Sequence, residues 1–92
     1  MTNKEEITDD LVEEFYDDGQ LKLRRNLKNG VRYGLQEVFR KDGSIYNRGN
    51  YKDGYAHGLF EDFYDNGQLK TRRHFREGEK HGLWEWFDEK KG

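Results

Sequence analysis

Four glutamates recur at a constant interval of 24 residues: Glu13, Glu37, Glu61 and Glu85. Spaced carboxylates are the working groups of glycoside hydrolysis, one as acid and the other as base or nucleophile. With two strands per interval, successive glutamates would stand roughly 9–10 Å apart on a sheet, and glycosidases use related separations. The opposing reading is simpler. Duplication of a unit makes every residue in it periodic, and Arg25, Arg73 and several lysines are at hand to neutralise the row. No catalytic residue is assigned.

Histidine offers a second chemistry. His57 and His81 fall at the same place in successive intervals, after Tyr33 in the first, and His74 comes close to His81 across a turn. Two imidazoles could begin a zinc site, but no third ligand type accompanies them, so neither metal nor cofactor is assigned. The Gly-x-x-x-Gly spacings at 30–34 and 78–82 belong to turns rather than to a phosphate loop. No Ser-His-Asp arrangement has a recognisable context. A third set is aromatic and cationic: Tyr16, Phe60, Tyr64, Trp84 and Trp86, interleaved with Arg24, Arg48, Arg72, Lys22, Lys70 and His74. Trp, Tyr and Arg are the types enriched at interaction hot spots.

These residues are positioned by one repeated unit. Residues 11–34, 35–58 and 59–82 are three copies, and 83–92 starts a fourth. Leu11, Leu35, Leu59 and Leu83 open the copies, and Phe15, Phe39, Phe63 and Phe87 follow four residues later. Leu21, Ile45 and Leu69, then Leu27, Tyr51 and Phe75, complete the large apolar positions. All fall at odd places in the unit, which is the period of a strand. The glycines of each copy would break a helix.

Gly19, Gly43 and Gly67 end Asp-Asp-Gly, Lys-Asp-Gly and Asp-Asn-Gly, the signature of three-residue hairpin loops. That register sets Phe15 against Leu21, Phe39 against Ile45 and Phe63 against Leu69. It also sets Glu14 against Lys22, Val38 against Tyr46 and Asp62 against Lys70. Asn29-Gly30 and Asp53-Gly54 suit type I′ turns, with Glu77-Gly78 in the same place. A two-residue loop would turn the Phe row over at each copy, so one extra residue must be absorbed, for which Gly34, Gly58 and Gly82 are the expected bulges.

The fold expected is all-β: a single open antiparallel meander of about seven strands, near 11–16, 20–28, 32–40, 44–52, 56–64, 68–76 and 80–87, in a domain spanning 11–92. Residues 1–10 read as a polar tail or cap. The odd face, with its Leu and Phe rows, is the expected core, and the even face the expected exposed surface. Composition agrees: 32% hydrophobic residues are few for a two-layer domain, yet 15% regularly placed aromatics argue against disorder. A net charge of −2 offers no field for a nucleic-acid backbone. There is no Cys for disulfides, and no apolar run long enough for a transmembrane helix, so the cytoplasm is the expected compartment.

The signatures FYDDGQLK (15–22), FYDNGQLK (63–70), NYKDGYAHGLFEDFY (50–64) and HGLWEWF (81–87) resemble the MORN-type repeat family, in the variant of bacterial YwqK-family antitoxins. The resemblance covers about residues 11–92. It implies an open repetitive sheet used for protein–protein contact, with a toxin as one class of partner, and in eukaryotic relatives a link to membrane lipids. Gln36 and Val12 stand where the family has an aromatic, and Arg40 replaces the tyrosine of Tyr16 and Tyr64, so an aromatic face would be interrupted in the middle copy. The function expected is a non-enzymatic protein-binding module that occludes a toxin or other effector. Phe60, Tyr64, Trp84 and Trp86 are the expected anchors, and Arg48 and Arg72 the steering charges. Net acidity disfavours the alternative, a membrane-surface or lipid-headgroup binder. The edge strand carrying Trp84 and Trp86 is open to pairing with a second copy.

Overall fold

The computed structural model describes residues 9–90. It contains strands β1 (Asp9–Phe15), β2 (Leu21–Lys28), β3 (Val31–Arg32), β4 (Gly34–Phe39), β5 (Ile45–Lys52), β6 (Tyr55–Phe63), β7 (Leu69–Arg76), β8 (Glu79–Lys80) and β9 (Glu85–Trp86), and among the described residues no helix. All nine belong to one antiparallel sheet, paired in chain order. The expected third strand is divided into β3 and β4, and the expected seventh into β8 and β9. Of the segment read as a tail, residues 1–8 lie outside the described residues. Asp9 and Asp10 already pair with Lys28 and Leu27.

The sheet measures 65 × 39 × 12 Å. Two stacked sheets would set their backbones about 10 Å apart before any twist is added, so the thin dimension holds a single layer. Such a layer has two solvent-facing surfaces and cannot bury a conventional core: among the described residues only Leu23 of the hydrophobic ones is buried, at 8% exposure.

Both sets of turns fold as their residues require. Asn29, Asp53 and Glu77 take φ of 52°, 52° and 51°, and Gly30, Gly54 and Gly78 take 81°, 85° and 84°. Positive φ at both central residues defines the type I′ turn. In the longer loops Asp18, Asp42 and Asn66 each accept from the amide two residues on, at 2.9, 2.8 and 3.0 Å.

The register after those loops departs from expectation. Phe15, Phe39 and Phe63 do face Leu21, Ile45 and Leu69, but Glu14, Val38 and Asp62 face Leu23, Asn47 and Thr71. Lys22, Tyr46 and Lys70 are bulged out and face no partner, so the expected Glu14–Lys22, Val38–Tyr46 and Asp62–Lys70 pairs do not form. One extra residue per hairpin reverses the parity of everything after it. This bulge supplies the odd residue that the parity argument had placed at Gly34, Gly58 and Gly82. Those glycines do take positive φ, 70°, 91° and 76°, but the register there jumps by two residues, from Leu27–Arg32 to Leu23–Val38, which leaves the faces unchanged. Asn26 and Asn50 pin the jump by donating to the Leu35 and Leu59 carbonyls at 3.1 and 3.2 Å.

The expected assignment of faces is therefore corrected. Leu11, Leu35 and Leu83, placed in the core by the alternation, are 58%, 40% and 68% exposed. The most buried side chains, Leu23 and Thr71, lie on the other face.

Candidate functional site

The two faces carry different chemistry. One bears the row Glu13, Arg24, Glu37, Arg48, Glu61, Arg72, Glu85, in which each residue is the register partner of the next across the whole sheet. Ion pairs close along it: Glu13–Arg24 at 3.0 Å, Arg24–Glu37 at 3.9 Å, Arg48–Glu61 at 2.7 Å and Arg72–Glu85 at 3.4 Å. The periodic glutamates are thus neutralised by Arg24, Arg48 and Arg72, not by Arg25 and Arg73 as expected. Arg25 and Arg73 instead pair with Glu14 at 3.7 Å and Asp62 at 2.9 Å. Each exposed pair contributes about 0–1 kcal/mol. The row also helps to specify register, because a slipped strand would break its Glu–Arg pairs.

The same register settles where Arg48 and Arg72 stand. Arg48 faces Glu61 while the adjacent Gly49 faces Phe60, and neighbouring residues of a strand point to opposite sides. Arg48 and Arg72 therefore occupy the face opposite Phe60, Trp84 and Trp86. Their expected place among the aromatics is corrected, again because the bulge reverses parity between the two strands of each hairpin. They lie over Phe63 at 5.2 Å and Phe87 at 5.8 Å.

The other face carries a continuous aromatic ladder. Tyr51 meets Phe60 edge-on at 5.4 Å, and Phe60 meets Phe75 edge-on at 5.0 Å. Phe75 contacts Trp84 at 5.2 Å, and Trp84 contacts Trp86 at 6.1 Å. Cations flank it: Arg32 over Tyr51 at 4.5 Å, Lys80 over Trp84 at 5.0 Å, and Arg73 over Phe75 and Trp84 at 5.6 and 5.5 Å. The Trp84 indole N–H donates to the His74 carbonyl at 2.9 Å, which fixes its ring. Trp86 ends the ladder with 64% exposure. Room for Phe60 is made by Gly49, where a Cβ would stand 2.2 Å from the ring.

Phe60, Trp84 and Trp86 are thus brought together, joined by Tyr51, Phe75 and Arg73. The alternation had sent Tyr51 and Phe75 to the other face. The signal that could have placed them is Gly49, a residue without a side chain in a strand otherwise rich in large ones. Tyr64 stands beside Trp86 around a shallow cavity of about 520 Å³, and its hydroxyl is already engaged, donating to the Phe87 carbonyl at 2.6 Å. Tyr16 does the same to Phe39 at 2.7 Å, and Arg40 to Phe63 at 2.5 Å. Each copy is tied to the next by the residue that follows its Phe. Arg40 therefore does in the middle copy what tyrosine does in the others.

Among the described residues no group of His, Asp and Glu is arranged to hold a metal ion. His74 and His81 are neighbours through a backbone bond of 2.9 Å from the His81 amide to the His74 carbonyl.

A single-layer sheet of duplicated hairpins, held by ties repeated once per copy, is a β-repeat architecture. Over residues 11–29 and 56–77 the chain is similar to the MORN repeat variant family. No curated protein and no solved structure matches it.

Proposed function

We propose that the chain is a non-enzymatic protein-binding module that occludes a partner with the aromatic face of its sheet. The partner class suggested by the YwqK-antitoxin resemblance is a toxin or other effector protein, met in the cytoplasm. The observation that carries the reading is the ladder from Tyr51 to Trp86, over which no described residue is layered in a sheet 12 Å thin. Half-buried aromatics fixed by their neighbours lose little conformational entropy on binding, which favours them as anchors. Phe60, Trp84 and Trp86 are the anchors, Tyr64 borders them, and Arg73 and Lys80 supply charge on that face in place of Arg48 and Arg72. The non-enzymatic part rests on the Glu–Arg row, in which every periodic carboxylate has an arginine as register partner.

The test is affinity capture from the native host with the wild type and with Trp84→Ala/Trp86→Ala, followed by binding of the purified partner. A partner that binds the wild type, and loses binding in a variant that keeps its β-type circular dichroism, supports the reading. Liposome co-sedimentation without a protein partner would replace it by the lipid-headgroup reading. A dimer by ultracentrifugation that Trp86→Ala converts to monomer would replace it by pairing of chains at the β9 edge.

A further inference from the structure

The repeat places a strand on each side of its first strand, and β1 has only one of them. Among the described residues β1 pairs with β2 alone, and its other edge is open. In later copies that side is filled by the second strand of the preceding copy, which brings an arginine. Arg48 pairs with Glu61 at 2.7 Å and lies over Phe63 at 5.2 Å. Arg72 repeats this with Glu85 at 3.4 Å and Phe87 at 5.8 Å. Arg24 reaches Glu37 at 3.9 Å while bonded to Glu13 at 3.0 Å. Two residues after Arg24 and Arg48, Asn26 and Asn50 donate to the carbonyls of Leu35 and Leu59.

Leu11, Glu13 and Phe15 are the counterparts of those receiving residues in the first copy. Among the described residues none of them meets an arginine or an asparagine from the open side. Phe15 is accordingly 57% exposed, whereas Phe39, Phe63 and Phe87 are only partly so. Alternation puts Leu11, Glu13 and Phe15 on one face of the strand, so one incoming strand meets all three. A charged edge by itself serves to repel other edges. This edge goes further, because it keeps the Leu-x-Glu-x-Phe spacing with which the inner copies receive a strand.

We propose that the open edge of β1 takes up an extended segment of a protein partner as an antiparallel strand, through an Arg-x-Asn sequence. The arginine pairs with Glu13 and covers the Phe15 ring, as Arg48 does for Glu61 and Phe63, and the asparagine donates to the Leu11 carbonyl. Added strands bind through main-chain hydrogen bonds, and their alternate side chains give selectivity. The charge fits, since β1 carries Asp9, Asp10, Glu13 and Glu14 and no base, which favours a basic segment. A second folded copy is not the occupant. Its arginine-bearing strands β2, β5 and β7 are paired on both sides, and its end strands β1 and β9 would set Glu13 or Glu85 against Glu13. β1 lies at the far end of the sheet from Trp86, so the site does not rest on the aromatic face.

The probe is a synthetic peptide with the chain's own second-strand sequence, residues 44–54 (SIYNRGNYKDG), titrated into the isotope-labelled full chain. The amide signals of Leu11, Glu13 and Phe15 should shift in a saturable manner. The peptide carrying Arg48→Gln, which leaves the protein untouched, should bind at least about tenfold more weakly, and so should the unchanged peptide to a Glu13→Gln protein. Combining the two changes should cost no more than either alone. Glu85→Gln and Trp86→Ala proteins should stay within about twofold of wild type. No saturable shift in β1, equal binding of the Arg48→Gln peptide, or an equal loss with Glu85→Gln would overturn the assignment. A dimer of the chain alone that protects the β1 amides from exchange would also overturn it, giving the edge to a second copy.

Discussion

Replacing Gly49 by alanine tests how the aromatic ladder is built. Gly49 faces Phe60 in the register, and a Cβ there would stand 2.2 Å from two ring carbons and 2.6 Å from a third. Carbon atoms settle at about 3.5–4.0 Å, so the ring must move by more than an ångström. It then leaves its edge-on contacts with Tyr51 and Phe75, at 5.4 and 5.0 Å, each worth about 0.5–1.5 kcal/mol. Overpacking adds about 1–3 kcal/mol. Against this, alanine restricts the unfolded chain and returns about 0.4–1 kcal/mol. The net expectation is a loss of about 2 kcal/mol, or a melting temperature lower by roughly 10 °C in a chain this small. Urea denaturation followed by tryptophan fluorescence reads it directly, because Trp84 and Trp86 continue the ladder. In a Phe60→Ala background the same change should be neutral or slightly stabilising, giving a coupling of about 2 kcal/mol. A Gly49→Ala protein as stable as wild type would refute the packing argument.

Three further outcomes follow from the ties, the charged row and one turn. Arg40→Ala should cost about 2–3 kcal/mol, since Arg40 donates to the Ile45, Phe63 and Tyr64 carbonyls; Arg40→Tyr should stay within about 1 kcal/mol of wild type in the same denaturation assay, because Tyr16 and Tyr64 make the equivalent tie. Arg48→Glu places a third carboxylate between Glu37 and Glu61, and should destabilise by about 1 kcal/mol in low salt, with most of the loss recovered in 1 M NaCl. The Asp42 carboxyl is held below its ordinary 3.8 by hydrogen bonds from the Ser44 hydroxyl and amide. A depressed folded value makes its contribution to stability present above the unfolded pKa and lost as pH falls through the folded one. Ser44→Ala should move its carbon-detected titration midpoint upward.

How much of this was legible in the sequence depends on which residue is asked. The strand period, the Asp-Gly and Asn-Gly turns and the pairing of Phe15 with Leu21 were all readable, because turn chemistry and alternation are local. The bulge at Lys22, Tyr46 and Lys70 was not. A bulged residue has no composition signal of its own, and Glu14 against Lys22 made a chemically sensible pair that the chain does not form. That one residue reversed the second strand of every hairpin, took Tyr51 and Phe75 off the face of the Leu row and moved Arg48 and Arg72 away from Trp84. The Glu–Arg row was half visible: the glutamates were found by period, but their partners could be named only once parity was known. Arg40 looked like a defect in an aromatic row, and is instead the same inter-copy bond made by a different donor.

The proposed function stands most directly on the exposed end of the ladder, and isothermal titration of a purified captured partner against Trp86→Ala tests it. Trp86 is 64% exposed, so its removal should leave the fold intact. As an interface anchor it should account for at least about 2 kcal/mol, a loss of roughly thirtyfold or more in affinity, while Arg48→Gln on the opposite face leaves affinity within about twofold. Unchanged binding by Trp86→Ala, or an equal loss with Arg48→Gln, would contradict the assignment of the aromatic face as the binding surface.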